Sequence, residues 1–361
     1  MRATVTKRGA RRPTGKVLIY GATGYTGKLV SARAKEIGMK PILAGRSEAK
    51  VRAVAEPLGL SWRVADIDDP AALDATLKGV AVVLHIAGPF SATSRQMADA
   101  CIRHKAHYLD ITGEIAVIEA LAARDNEAAA AGVMLMPGVG FDVVPSDCLA
   151  ARVAARIDKP TELHLGIGGM DKASRGTLKS SIESIGNPVR VRRKGEIQTT
   201  WPPPRHAYDF GKGMRGAIAV GWGDVASAWY STGVPNITVY FEPMPQMQQM
   251  AKMNGFMRWA LSRPLSQKLL KKAIDRMPDG PTDEERAAGR ALLIGEATNA
   301  RFEKAVTRLT TPEGYTLTAL TSLEIVRRVL AGEARPGFQT PSKVFGADFI
   351  ETIEGCRFED L

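Results

Sequence analysis

YGATGYTG, residues 20–27, closes the apolar run Val17-Leu18-Ile19-Tyr20 and opens into Lys28-Leu29-Val30. Its glycines are spaced G-x-x-G-x-x-G. A buried strand, a glycine-rich turn and a helix start, in that order, let a dinucleotide pyrophosphate meet the free amides and dipole of a helix amino terminus. On this reading Gly21 turns the chain, Gly24 lets the backbone approach the phosphates, and Gly27 lets helix and strand pack closely. Thr23 and Thr26 add hydroxyl donors beside Tyr25. The spacing alone is a modest signal, and its strand–loop–helix context sharpens it.

The same rhythm continues outward. Strands are expected at KVLIY, KPILAGRS, LSWRVADIDD, VAVVLHIAGPF, HYLDITG and GVMLMPGVGFD, with helices at 26–37, 47–58, 70–78 and 94–105. Short apolar strands alternating with amphipathic helices predict a Rossmann-type, doubly wound parallel sheet over 16–145. After Pro145 the pattern changes. A helix is expected at 146–157, then strands at ELHLGIGG, EIQTTW, GAIAVGW, NITVYFE, NARFEKAVTRLT (299–310) and YTLTALT (315–321). These predict a second, α+β domain over 146–321 with an open mixed or antiparallel sheet. Helices at 322–332 and 341–354, within 322–361, are expected to return to the first domain. A chain of 361 residues accommodates two domains.

The second strand ends in LAGRS. An NAD site usually carries an acid here for the ribose hydroxyls. Arg46, followed by Ser47, suits a 2′-phosphate instead, so the cofactor expected is NADP(H). Asp66, in VADIDD, is placed to meet the adenine, whereas Asp69-Pro70 reads as a helix start. AGPF sets Ala87 and Gly88 at the carboxyl edge of the fourth strand, beside the nicotinamide half of the crevice. His85 reads as a packed strand histidine.

The formal charge is +11, and Arg2, Lys7, Arg8, Arg11, Arg12 and Lys16 supply six of those charges before residue 17. Residues 1–15 read as a basic flexible tail, with further basic clusters at 190–215 and 252–276, and nucleic-acid binding is not expected. Cys101, Cys148 and Cys356 fit neither a disulfide framework nor a zinc pattern, so a reducing compartment and no metal are expected. There is no apolar stretch behind the charged amino terminus and no run of about 18 apolar residues, which points to the cytoplasm.

YGATGYTG, LAGRS, AGPF, ACIRHKAHYLDITGE and PGVGFDVVPSD together resemble the saccharopine dehydrogenase-like superfamily. The similar branch contains the saccharopine dehydrogenase-like oxidoreductases and the trans-acting enoyl reductases. SRGTLKSSIESIG, GPTDEERAAGRA and GFQTPSKVFGADFIE extend the resemblance into the second half. It implies nicotinamide-dependent reduction, with cofactor contacts at Gly21, Thr23, Gly24, Tyr25, Thr26, Gly27, Arg46, Asp66 and the Gly88 loop. It also implies that Thr112-Gly113-Glu114 lies near the nicotinamide. No set of basic groups for an amino diacid substrate is evident.

The candidate catalytic residues are Asp142, Glu114 and Tyr25. Asp142, after Gly140-Phe141, either donates a proton from a raised pKa or caps the helix starting near Pro145-Ser146. Glu114 either shares that chemistry or fixes a turn with Thr112, and Tyr25 either takes part or shapes the floor under the nicotinamide. Arg175 and Lys179 are further neighbours. Within 244–277, Met247, Met250, Met253 and Met257 recur near helical spacing beside Lys252 and Arg258, and a second apolar line follows Pro264. Such a pair either packs in the protein or on a second subunit, or meets a lipid-like substrate or membrane surface. The expectation is an NADP-dependent oxidoreductase acting on an apolar enoyl or carbonyl substrate. Its alternatives are a non-catalytic NADP sensor and a lipid-surface protein.

Overall fold

The computed structural model describes residues 15–169, 174, 175, 178, 188–211, 213–243, 263–274 and 276–361. The tail before Gly15, most of SRGTLKSSIESIG with Lys179, and Met247 to Met257 lie outside these residues. Among the described residues no helix is long and apolar enough to cross a membrane.

The first sheet contains β1 (Lys16–Tyr20), β2 (Ile42–Gly45), β3 (Trp62–Val64), β4 (Val80–His85), β5 (His107–Asp110), β6 (Met134–Met136) and, from late in the chain, β15 (Gly337–Phe338). All pairings are parallel, in the order β15-β6-β5-β4-β1-β2-β3. Helices α1 (Tyr25–Glu36), α2 (Glu48–Leu58), α3 (Pro70–Leu77) and α4 (Phe90–His104) follow the first four strands, and α5 (Ile115–Ala122) and α6 (Asp125–Ala131) lie between β5 and β6. The expected Rossmann-type sheet is present. Its strand order reverses between β1 and β4, which opens the crevice at their carboxyl ends. Asp69 caps α3 by accepting the amides of Ala71 and Ala72, with Pro70 in the first turn.

The second sheet contains β7 (Pro160–Gly168), β8 (Val189–Arg193), β9 (Glu196–Thr200), β10 (Arg205–Asp209), β11 (Met214–Val220), β12 (Asn236–Phe241), β13 (Arg290–Asn299), β14 (Lys304–Pro312) and β16 (Arg357–Asp360). Its main path is β10-β11-β12-β7-β13-β14-β16, with β8 and β9 to the side. Only β12–β7 is parallel, so the sheet is mixed. One face packs on α7 (Val144–Ala154), where a β-carbon at Gly295 would come within 2.9 Å of Leu149. Leu163, Leu165, Ile167, Leu293 and Ala297 line that face, and its core runs on into the first domain. On the other face β10 folds back over β7. Tyr208 lies on Gly166, whose β-carbon would come 2.7 Å from the ring, and Phe210 lies on Gly168 at 3.1 Å.

Three expectations are corrected. YTLTALT is not a strand: it opens helix α11 (Gly314–Arg328), after α8 (Asp224–Thr232), α9 (Pro264–Ile274) and α10 (Asp283–Ala288). The hydroxyls of Thr318 and Thr321 bond back to the carbonyls of Gly314 and Leu317, four residues earlier, which satisfies them inside a helix. Residues 299–310 are not one strand either, because Asn299 ends β13 and its side chain accepts the amides of Arg301 and Glu303 in a tight turn. The stretch 322–361 divides: β15 joins the first sheet, α12 (Pro341–Phe345) follows, and β16 pairs with β14 in the second.

Gly166→Ala is expected to cost about 1–3 kcal/mol by forcing the Tyr208 ring off the sheet. Gly216→Ala, with no atom within 4 Å of its β-carbon, is expected to leave stability nearly unchanged. Urea unfolding of both variants measures the difference.

Candidate functional site

The loop after β1 is held by backbone packing. Gly21 has φ +93, and a β-carbon there would lie 2.7 Å from the backbone of Ile86 and Ala87 at the end of β4. A β-carbon on Gly27 would run into the carbonyl of Gly21. These two glycines are explained by the fold. Gly24 is not: it is exposed, its φ is −75, and the nearest atom to an added β-carbon is 3.7 Å away. It caps α1 without a side-chain hydrogen bond, so no side chain covers the first helix amides, the position that suits a phosphate.

The neighbouring residues fit the rest of a dinucleotide. Arg46 is exposed at the end of β2 and makes no hydrogen bond or ion pair among the described residues. Ser47 caps α2 without using its hydroxyl on the helix amides. Asp66 is exposed after β3 and accepts the amide of Asp68. The Tyr20 hydroxyl, donating to the Ala65 carbonyl at 3.0 Å, anchors this corner.

The Ala87-Gly88 loop is braced from two sides. Thr93 donates to the carbonyl of Ala87 at 2.7 Å. Glu114 accepts the amides of Phe90 and Ser91, the first of α4, at 2.7 and 2.9 Å. Its carboxylate thus sits at the positive end of α4 and fixes the loop geometry. Each oxygen of Glu114 accepts one of these amides, which orients the carboxylate. Thr112 in turn holds the Glu114 amide at 3.0 Å, the turn that was one of the two readings of this residue.

His85 is fully buried, and its Nε2 lies 2.9 Å from Thr93 Oγ1. Burial holds its pKa down to about 3, so it is a neutral packed histidine. Asp110 is equally committed: it accepts from the Tyr108 hydroxyl at 2.6 Å and from the amides of Thr112 and Gly138 at 2.9 Å each.

Tyr25 is held by residues far along the chain. Its hydroxyl donates to the Pro281 carbonyl at 2.5 Å and accepts from Arg286 at 2.9 Å, and its ring lies against Gly280. Lys28 pairs with Asp279 at 3.7 Å, and Arg175 also forms an ion pair with Asp279. The start of α1 is therefore fastened to segment 279–286. Arg286 lies within GPTDEERAAGRA, a stretch that carries part of the resemblance but to which no role was assigned.

Asp142 is the carboxylate left free. Helix α7 is capped by Val143 with no side-chain hydrogen bond, so Asp142 does not cap it. It is partly exposed, makes no hydrogen bond among the described residues, and lies over Gly113, where a β-carbon would come 2.9 Å from its Oδ2. Burial and then the Glu114 charge push its pKa up to about 7. Gly223 closes on Gly113 from the second domain, with a would-be β-carbon 3.3 Å away. Next to it Asp224 is wholly buried, and desolvation followed by Asp147 drives its pKa well up.

Residues 17–136 match the family model of the saccharopine dehydrogenase NADP-binding domain. This match covers most of the amino-terminal domain. It includes every cofactor contact considered above, whereas Asp142 lies just beyond it. The chain is 27% identical to a saccharopine dehydrogenase-like oxidoreductase of Homo sapiens, over 52% of this chain and 50% of the relative. It is 34% identical to a trans-acting enoyl reductase of Mycobacterium leprae, over 41% of this chain and 38% of the relative. The matches thus span half or less of these relatives. An apo saccharopine dehydrogenase of Saccharomyces cerevisiae shares the fold across 96% of this chain and 100% of that one, with TM-score 0.65 and 12% identity.

The raised pKa of Asp142 makes a stability prediction. The folded state holds its proton more tightly than an unfolded aspartic acid, so this contribution is full below about pH 4 and is lost as pH rises through about 7. Asp142→Asn removes the loss. Its stability relative to the parent is expected to improve from about pH 4 to about pH 7 and then level off, read by urea unfolding at each pH.

Proposed function

We propose that this chain is an NADP(H)-dependent oxidoreductase that reduces an apolar unsaturated substrate, an enoyl or carbonyl compound, with Asp142 as the proton donor. The observation carrying this reading is Gly24, whose missing side chain answers no packing demand of the protein. A phosphate resting there gives it a reason. Arg46 and Ser47 beside it offer a fixed positive charge and an unused hydroxyl for a 2′-phosphate.

Bound NADPH supplies the hydride chemistry. The chain's own task is to hold, orient and protonate. The Gly21–Gly27 loop and the amides opening α1 take the pyrophosphate, with the Thr23 and Thr26 hydroxyls alongside. Asp66 faces the adenine side. Ala87, Gly88 and Gly113 flank the nicotinamide side, and Glu114 keeps that edge in place by fixing the start of α4. Asp142 holds a proton near neutral pH at a spot open to the crevice, which suits a general acid. The names of the mycobacterial relatives support an enoyl substrate, and the Met-rich segment 244–262 supports an apolar one.

Titration with NADPH and NADH, followed by nicotinamide fluorescence, is expected to show a preference for NADPH. Arg46→Asp should weaken NADPH by about tenfold or more and NADH much less, the worth of one charge-assisted contact. Gly24→Ala should fold normally and bind both more weakly. Equal weak binding of both cofactors to the parent would remove the role given to Arg46.

NADPH oxidation is then screened against enones, aldehydes, imines and 2-enoyl thioesters. With an active substrate, kcat/KM should fall as pH rises above about 7. Asp142→Asn should lower kcat by about 10²–10⁴-fold with NADPH affinity retained. Tight NADPH binding with no turnover across the panel would favour a sensor.

A further inference from the structure

The face of the second sheet turned away from α7 carries a group of side chains that the dinucleotide site does not use. On β7, residues alternate: Leu163, Leu165 and Ile167 enter the core, while His164, Gly166 and Gly168 face the other way. Glu296 on β13 is the register partner of His164. Strand β10 lies over them, so that Tyr208 covers Gly166 and Phe210 covers Gly168. Two residues before Tyr208, the ring of His206 meets that of His164, with centroids 5.4 Å apart. Where Gly166 and Gly168 make room for a ring, this position instead brings together two imidazoles and a carboxylate.

We propose that His164, His206 and Glu296 form a binding site for a zinc-type divalent cation, a clip between the folded-back β10 and the strands β7 and β13. One ligand atom from each residue lies within 4.8 Å of the other two. His206 Nε2 and Glu296 Oε2 are 3.0 Å apart, about the spacing of two ligands on one ion with bonds near 2.0–2.1 Å. Two imidazoles and a carboxylate form a ligand set that zinc accepts, with a further position open to water. The site can be reached from solvent, since the side chain of His206 is 32% exposed and that of Glu296 11%.

Two further observations support the site. The Tyr208 hydroxyl is buried without a hydrogen-bond partner, and its ring lies 4.6 Å from that of His206. A metal-bound water would give such a group a partner. Lys304 lies 2.9 Å from Glu296 Oε1, which orients the carboxylate and leaves Oε2 for the ion.

The three ligands come from strands far apart in the chain, so no local spacing announced them. The ion would fix the hairpin β10–β11 on the sheet, on the face opposite the first domain. This is a holding role, independent of hydride chemistry.

The test uses the full chain, stripped with a chelator and dialysed, then titrated with zinc against a chromogenic competitor and with cobalt(II) by absorption. One equivalent is expected, with cobalt d–d bands and a rise in melting temperature on adding zinc. His164→Asn, His206→Gln and Glu296→Gln should each weaken zinc binding by at least about 10- to 100-fold and abolish the melting shift. Circular dichroism and NADPH binding report whether each variant is folded, and a folded one that binds zinc like the parent overturns the proposal. So does a thiolate-to-cobalt charge-transfer band, which would place the ion on cysteine, and so does binding no tighter than millimolar.

Discussion

The close approach of the Gly21 turn to the end of β4 governs the site. A side chain at residue 21 would collide with the backbone of Ile86 and Ala87, and one at residue 27 with the Gly21 carbonyl. With both absent, the loop after β1 lies flat on the neighbouring strand and α1 starts directly above the sheet. The crevice between β1 and β4, the Ala87-Gly88 edge and the orientation of the α1 amides all follow from that contact. Because it is made entirely by backbone, it leaves the side chains at Thr23, Arg46 and Ser47 free for a ligand.

The first domain was legible because its signals are local. Apolar runs bounded by glycines gave the strands, and the Asp69-Pro70 pair gave a helix cap that the structure contains. The second domain was less legible because its burial is two-sided. Helix α11 is packed between layers, with Leu317, Thr318, Ala319, Thr321, Ser322, Leu323, Ile325 and Val326 all buried. Such a helix has no polar stripe, so YTLTALT showed alternation where a surface helix would show a period of 3.6. The turn at Asn299 was hidden for a different reason. It contains no glycine or proline and places Phe302 at φ 64, supported by the Asn299 side chain.

The link between the domains passes through a residue first singled out for the cofactor. Tyr25 sits between two glycines of the phosphate loop, yet its hydroxyl is bonded to Pro281 and Arg286 and its ring meets Tyr315 edge-on, with centroids 5.0 Å apart. In the sequence its neighbours are Gly24 and Thr26, and only the fold brings residues 280–286 to it. The contact joins the loop that would carry the pyrophosphate to the segment following α9. With the Lys28–Asp279 ion pair, it ties the start of α1 to the 279–286 segment.

Two carboxylates illustrate how environment divides labour between similar groups. Glu114 and Asp142 are close enough for the charge of one to act on the other, and sequence alone offered both for the same chemistry. Their partners separate them. Glu114 meets two amides at the positive end of α4, an arrangement that uses its negative charge. Asp142 has the helix start beside it but no amide from it, lies on a glycine, and feels Glu114 as a like charge. Burial without compensating donors favours its protonated form. The fixed acid thus helps keep the free one protonated near neutral pH, and the loop that Glu114 holds is the edge against which Asp142 would work. Removing the charge at residue 114 would loosen the start of α4 and lower the proton affinity of residue 142 together, so the position of the loop and the readiness of the acid are not separable properties of this site.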